Sequence, residues 1–63
     1  MVKVNEIRKW TDHNTGYNFF VVTKIFKKAG NDWYSCRNLK NGIIYDLGCQ
    51  YVENYSVVID DQT

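Results

Sequence analysis

The sequence predicts a small all-β domain, an antiparallel barrel of about five strands with one short helical turn before the last strand. Three β-rich runs follow one another through residues 17–47, separated by residues 28–31 and by the dipeptide Asn41-Gly42. These runs are rich in Val, Ile, Tyr and Phe, which favour strands, and the chain contains no proline. Consecutive strands joined by such turns form a double hairpin, which is the centre of the predicted barrel.

Length and composition predict a single domain spanning residues 1–63, with residues 59–63 as a polar tail. A domain of this size buries only about 60% of its unfolded surface, and the 44% hydrophobic content suits that need. Charged residues make up 24% and the formal net charge is +1, which argues against disorder. Neither a secretory signal nor an apolar run of about 20 residues is recognisable, so we expect a cytoplasmic protein with free thiols.

The outer parts of the barrel are predicted from runs of apolar residues and turn formers. The first strand lies around residues 6–11, with Ile7 pointing inward and Trp10 near its end. Turn-forming residues follow, and a long strand then covers residues 17–27. This strand is apolar on both faces near its start, which indicates a bend or a β-bulge. Residues 50–54 form a single helical turn, and the closing strand follows at residues 55–59.

The two hairpin turns predict the strand registers. A loop at residues 28–31 gives the first four pairs: Phe26 with Trp33, Ile25 with Tyr34, Lys24 with Ser35, and Thr23 with Cys36. A type I′ turn at Asn41-Gly42 gives the second four: Leu39 with Ile44, Asn38 with Tyr45, Arg37 with Asp46, and Cys36 with Leu47. Both registers place the same side chains inward: Ile25, Tyr34, Cys36, Tyr45 and Leu47. They place a second set outward: Lys24, Phe26, Trp33, Ser35, Arg37 and Asp46.

This order of elements resembles the SH3-like small β-barrels, which include SH3, Tudor and KOW-type modules. The resemblance covers roughly residues 4–59 and rests on five segments: VNEIRKW as the entry strand, DHNTG as the variable loop, YNFFVVTKIF as the long bent strand, WYSCRNLKNGIIYDL as the hairpin, and QYVEN before the last strand. Short barrels of this kind are also similar to products of phages and mobile elements, which act by binding a host protein.

The residues that catalysis or metal binding requires are sparse. His13 is the only histidine and lies in a predicted turn beside Asp12. Two cysteines and one distant histidine do not supply the four ligands of a zinc site. The paired acids at residues 60–61 belong to the predicted polar tail, so we expect no preorganised geometry from them. The sequence therefore predicts no enzyme, no cofactor and no metal site.

The outward face of the hairpins is the candidate binding surface because it interleaves basic and aromatic side chains. Its residues are Lys24, Phe26, Lys28, Trp33 and Arg37. Trp, Tyr and Arg often dominate protein interfaces, so a host or cellular protein is the expected partner. Three alternatives stay open: single-stranded nucleic acid held by stacking and by lysines including Lys27, an aromatic pair that only stabilises the hairpin, and a homodimer. A methyl-cation cage is a further alternative, and it would draw on Tyr17, Trp33, Tyr45 or Tyr51 together with an aspartate. No membrane partner is expected.

Overall fold

The computed structural model describes residues 2–11 and 19–59. The elements are β1 (Ile7–Trp10), β2 (Phe19–Lys28), β3 (Asn31–Asn38), β4 (Ile44–Gly48), α1 (Cys49–Tyr55) and β5 (Ser56–Val58). The strands form one antiparallel sheet in the order β4-β3-β2-β1-β5. The predicted all-β class, with five antiparallel strands and a short helix before the last, is confirmed. Closure of the sheet into a barrel stays a prediction, because β4 and β5 do not pair with each other within the described residues.

Several predictions made from the sequence fall on residues 12–18 and 60–63, which lie outside the described residues. These are the turn at 12–16 with His13, the start of the long strand with Tyr17, and most of the polar tail. Within the described ranges, no helix combines the length and apolarity that crossing a membrane requires.

The β2–β3 hairpin turns within the predicted segment 28–31, but Lys28 and Asn31 are paired, so the loop has two residues rather than four. Near the turn the register is the predicted one, because both loop lengths pair the same residues. Ala29 and Gly30 both have positive φ, of 53° and 82°, as a two-residue type I′ turn requires. Three predicted pairs are confirmed: Phe26 with Trp33, Ile25 with Tyr34, and Lys24 with Ser35. The fourth is wrong, because a β-bulge at Thr23 places Val22 opposite Cys36 instead. The bulge itself is the irregularity that the two-sided apolar run predicts.

The β3–β4 hairpin is paired two residues away from the predicted register. Arg37 lies opposite Ile44 and Ser35 lies opposite Asp46, so the predicted Arg37–Asp46 pair is wrong. Leu47 likewise pairs with Tyr34. A shift of two residues returns every side chain to the same face, so the inward and outward sets are unchanged.

The side chain of Asn38 accounts for this shift. Its Oδ1 atom accepts backbone N–H groups from Lys40 at 2.7 Å and from Asn41 at 3.3 Å, while its carbonyl oxygen accepts the N–H of Gly42 at 2.8 Å. Only Gly42 of the predicted turn pair has positive φ, at 76°. The Asn38 contacts therefore stabilise a wider turn than the type I′ turn predicted at Asn41-Gly42.

The core lies between one face of the sheet and α1. Its buried residues are Val2, Phe20, Val22, Tyr34, Cys36 and Val52. Trp10 stacks on Phe20 with ring centroids 4.4 Å apart, and Leu47 packs against the cluster. The prediction of Ile25 and Tyr45 as core residues is wrong, since they are 40% and 48% exposed. Tyr45 lies on an edge strand, and β1 pairs with β2 only as far as Val21, so no described strand covers that side of Ile25.

The inward side chain of β1 is Arg8 rather than the predicted Ile7. Arg8 is buried and pairs with Phe20, whereas Ile7 is exposed and pairs with Val21 on the outward face. The guanidinium of Arg8 donates to Ser56 Oγ at 2.8 Å and to the Ser56 carbonyl at 3.0 Å, and forms an ion pair with Glu6 at 3.2 Å. Burial of arginine is tolerated here because these partners satisfy its donors, and the contacts join β1 to β5.

Candidate functional site

The outward face of the sheet presents all five predicted binding residues. We define the outer face by these residues: Lys24, Phe26, Lys28, Trp33 and Arg37. The three β2 residues alternate along the strand, and residues that are opposite each other in an antiparallel pair point to the same side. The α1 residue Val52 packs into the core on the opposite side of the sheet. The outer face is therefore left uncovered by any described helix.

Two lysines lie against the two aromatic rings of the outer face. Phe26 and Trp33 are cross-strand partners, and both are half-buried. Lys24 Nζ lies 5.1 Å from the centroid of the Phe26 ring, and Lys28 Nζ lies 5.6 Å from that of Trp33. At these distances the ring quadrupole attracts the ammonium group. The result is a compact unit of two rings with a cation on each.

Arg37 is separate from this unit and does not lie opposite Asp46, the partner that the sequence predicts. It lies two residues along β3 from Ser35, opposite Val21 and Ile44. Asp46, its predicted partner, instead accepts a hydrogen bond from Ser35 Oγ at 2.7 Å. Among the described residues, Arg37 has no ion pair. Its charge therefore adds to the positive character of the outer face.

Lys27, included in the nucleic-acid alternative, lies on the other face of β2. Its Nζ atom forms an ion pair with Asp32 at 2.8 Å, and the hydrogen bond and charge of Asp32 raise the pKa of Lys27. Because Lys27 alternates with the lysines of the outer face and is paired to an acid, it does not extend the basic surface there.

Sequence reasoning missed the residues of β1 and β5 that lie on the same side of the sheet as the outer face. Lys9 pairs with both Phe19 and Val57, which places it beside the long strand on the outward side. Ile7 and Val57 are 37% and 49% exposed on the same side. The error follows from the reversed alternation of β1, in which Arg8 takes the inward position. The buried partner of Arg8 is Ser56 of the closing strand, which is 48 residues away, so the sequence carries no local signal for this pairing.

A shallow depression of about 350 Å³ lies at the end of the β3–β4 hairpin. It is lined by Asn31, Asp32, Trp33, Gly48, Cys49 and Gln50. The Nε1 atom of Trp33 is buried and has no hydrogen-bond partner within the described structure. The depression extends the surface around Trp33 towards α1.

The cysteines do not form a disulfide, and they differ in their surroundings. Cys36 is buried in the core, and burial raises the pKa of its thiol to about 11, partly offset by the charge of Arg8. Cys49 is half-buried at the start of α1. The part of the chain that the structure describes contains no group of three metal-ligating side chains.

The candidate methyl-cation cage does not assemble from its described members. Trp33 faces outward, whereas Tyr45 pairs with Cys36 on the core side of the sheet. Tyr51 lies on α1, with its ring 5.5 Å from Trp10 and 5.0 Å from Tyr55. The rings therefore belong to separate surfaces rather than to one pocket.

We expect the folded protein to lose stability at alkaline pH because of Tyr34. Burial and a 2.9 Å hydrogen bond to Glu53 raise its pKa from 10.0 to about 12. A raised pKa in the folded state stabilises the protein fully below the unfolded value, and the contribution is lost as pH rises from 10 through 12. We expect denaturant unfolding of Tyr34→Phe to show a smaller loss of stability over that interval. Tyr55→Phe, at a half-exposed position, should follow the unmodified protein, and identical profiles for all three would contradict the assignment.

Comparisons of the chain with models of protein families, with curated proteins and with solved structures found no match. The outer-face geometry is therefore the basis for a functional proposal.

Proposed function

We propose that this protein is a non-enzymatic binding module of SH3-like type, which contacts a cellular protein through its outer face. The partner is a host protein, and the module acts on it as an inhibitor or adaptor of the phage type. We place it in the cytoplasm, since free thiols suit a reducing compartment.

The observation that carries this proposal is the unit of Phe26 and Trp33 with a lysine over each ring. Half-buried aromatic side chains combine a large apolar contact area with little conformational freedom to lose on binding. Arg37 adds a planar guanidinium group that has no ion-pair partner among the described residues. Arginine is one of the residues enriched in interface hot spots. The surrounding charges favour a partner surface that offers carboxylates.

A second candidate function is binding of single-stranded nucleic acid, favoured by the cations on the outward side of the sheet. The cations on that side are Lys9, Lys24, Lys28 and Arg37. On the described strands, the single carboxylate on the same side is that of Asp46. Basic side chains beside aromatic rings are typical of proteins that bind single-stranded nucleic acid. Against this function, the rings already carry the protein's own lysines, and a base would have to displace them to stack.

A crosslinking pull-down with tagged protein, with and without nuclease and read by mass spectrometry, distinguishes the two functions. The protein-binding proposal expects one partner that is retained after nuclease and is captured equally over a fourfold range of salt. Phosphate binding through about four cations would instead weaken roughly 50-fold over that range. A broad set of partners lost with nuclease would contradict protein binding and support the nucleic-acid function.

A further inference from the structure

We propose that two copies of this chain associate along the β4 edge, so that their sheets join into one continuous antiparallel sheet. This inference leaves the aromatic pair of the proposed function open, because Phe26 and Trp33 lie on β2 and β3 rather than at the free edge of β4. Arg37 is the one outer-face residue that the two proposals share. It starts from the position of β4 at the end of the strand order, where β3 is its single strand partner within the described residues.

The hydrogen-bond pattern shows which backbone groups of β4 are open. Asn38 N–H donates to the carbonyl of Ile43, which makes these two residues a hydrogen-bonded pair. Hydrogen-bonded and non-hydrogen-bonded pairs alternate along an antiparallel ladder. The pairs of Ile44 with Arg37 and of Asp46 with Ser35 are therefore non-hydrogen-bonded, and the N–H and C=O groups of Ile44 and Asp46 point away from β3.

The side chains along this edge are unusually apolar for an edge open to water. Ile43, Ile44 and Tyr45 are consecutive and are 49%, 57% and 48% exposed. Natural edge strands are commonly protected by lysine, proline or a bulge, and β4 contains none of these. One charge, Asp46, lies within the strand. An exposed edge of this composition favours pairing with another strand.

Among registers centred on residues 44–46, charge and alternation favour one for pairing with a second copy. Centring the twofold axis on Asp46 would place two carboxylates opposite each other, which is unfavourable. Centring it on Ile44 would require the N–H of Gly42, which already donates to Asn38. Centring it on Tyr45 pairs Ile44 with Asp46 of the second copy, using only groups that are open in the monomer.

This register also provides favourable side-chain contacts. The two Tyr45 rings meet across the axis in a non-hydrogen-bonded pair, where opposed side chains approach most closely. Asp46 of the second copy lies in the same row as Ile44 and Arg37, two strand spacings (about 10 Å) from Arg37. The extended arginine and aspartate side chains together span that distance, so Arg37, which has no ion pair among the described residues, meets a carboxylate. Each copy provides both members of this pair, as a twofold interface requires.

The first test is the mass in solution, measured by sedimentation equilibrium over a range of concentrations. The mass of the unmodified protein should approach twice the 7.5 kDa of one chain as concentration rises. Ile44→Pro removes an N–H that points away from β3, so it should keep the fold, checked by circular dichroism, and remain monomeric. Val58→Pro is the matched control. Val58 is 48% exposed on the other sheet edge, and its pairing with Arg8 leaves its N–H open as well, so this variant should still dimerise.

Amide hydrogen exchange on the unmodified protein tests the same interface without any substitution. At concentrations where the dimer forms, the Ile44 and Asp46 amides should exchange at least about tenfold more slowly than in dilute protein. The Val58 amide should exchange at the same rate in both. The proposal is overturned if the protein stays monomeric, if Ile44→Pro dimerises normally, or if the two amides exchange at a concentration-independent rate. Loss of the dimer in Val58→Pro alone would assign the interface to β5.

Discussion

Replacing Arg8 with methionine is expected to lower the free energy of unfolding by about 3 kcal/mol. Methionine keeps most of the apolar stem but removes the guanidinium that contacts Ser56 and Glu6. Ser56 is buried and its carbonyl would lose its arginine donor, and Glu6 would lose its only ion pair in the described chain. Leaving buried polar groups without partners costs more than an exposed ion pair contributes.

The effect is large compared with the stability of so small a domain, which is expected to be a few kcal/mol. Urea unfolding followed by tryptophan fluorescence measures it, with Lys9→Met as the control on the neighbouring, exposed position of β1. Lys9→Met should change stability by less than about 0.5 kcal/mol. Equal effects of the two substitutions would show that the Arg8 contacts do not hold β5 to β1.

The first hairpin was predictable because its turn is decided locally. The loop consists of Ala29 and Gly30, flanked by the paired residues Lys28 and Asn31. Gly30 takes its positive φ at no steric cost. The register then follows residue by residue until the bulge at Thr23. A bulge inserts one extra residue into a strand and shifts the register beyond it. The two-sided apolar run indicated that a bulge was present, but it did not show that the bulge lies at Thr23.

The second hairpin and β1 show where local rules are overridden by contacts of particular side chains. Asn41-Gly42 favours a tight turn, but the Asn38 side chain binds the turn backbone and widens it. In β1, apolar alternation favours Ile7 inside, whereas Ser56 provides the hydrogen bonds that allow Arg8 there. Ser56 is 48 residues away in the sequence, so no local pattern reveals this pairing.

The common side of the five residues that define the outer face was predictable from the sequence, but their electrostatics were not. The β2–β3 turn places Phe26 opposite Trp33, and this pair does not depend on the β3–β4 register. The electrostatics depend on the register itself. A shift of two residues moves Asp46 from Arg37 to Ser35, and leaves Arg37 without the carboxylate that the sequence assigns to it.

Removing both rings of the outer face should reduce partner capture by at least about tenfold, since hot-spot aromatics carry most of the binding free energy in an interface. The variant is Phe26→Ala with Trp33→Ala. Their cross-strand contact contributes only about 1 kcal/mol to the hairpin, and circular dichroism checks that the sheet persists. Lys24→Glu with Lys28→Glu tests the same surface through exposed positions that leave the core intact.

The most direct measurement is therefore quantitative crosslinked capture by the tagged protein, compared between this double variant and Tyr51→Ala with Tyr55→Ala. The control removes two aromatic side chains that are each 50% exposed, on α1 rather than on the outer face. We predict that the Phe26 and Trp33 substitutions abolish capture of the nuclease-resistant partner while the control retains it. Undiminished capture by a folded Phe26→Ala, Trp33→Ala protein would contradict binding through the outer face.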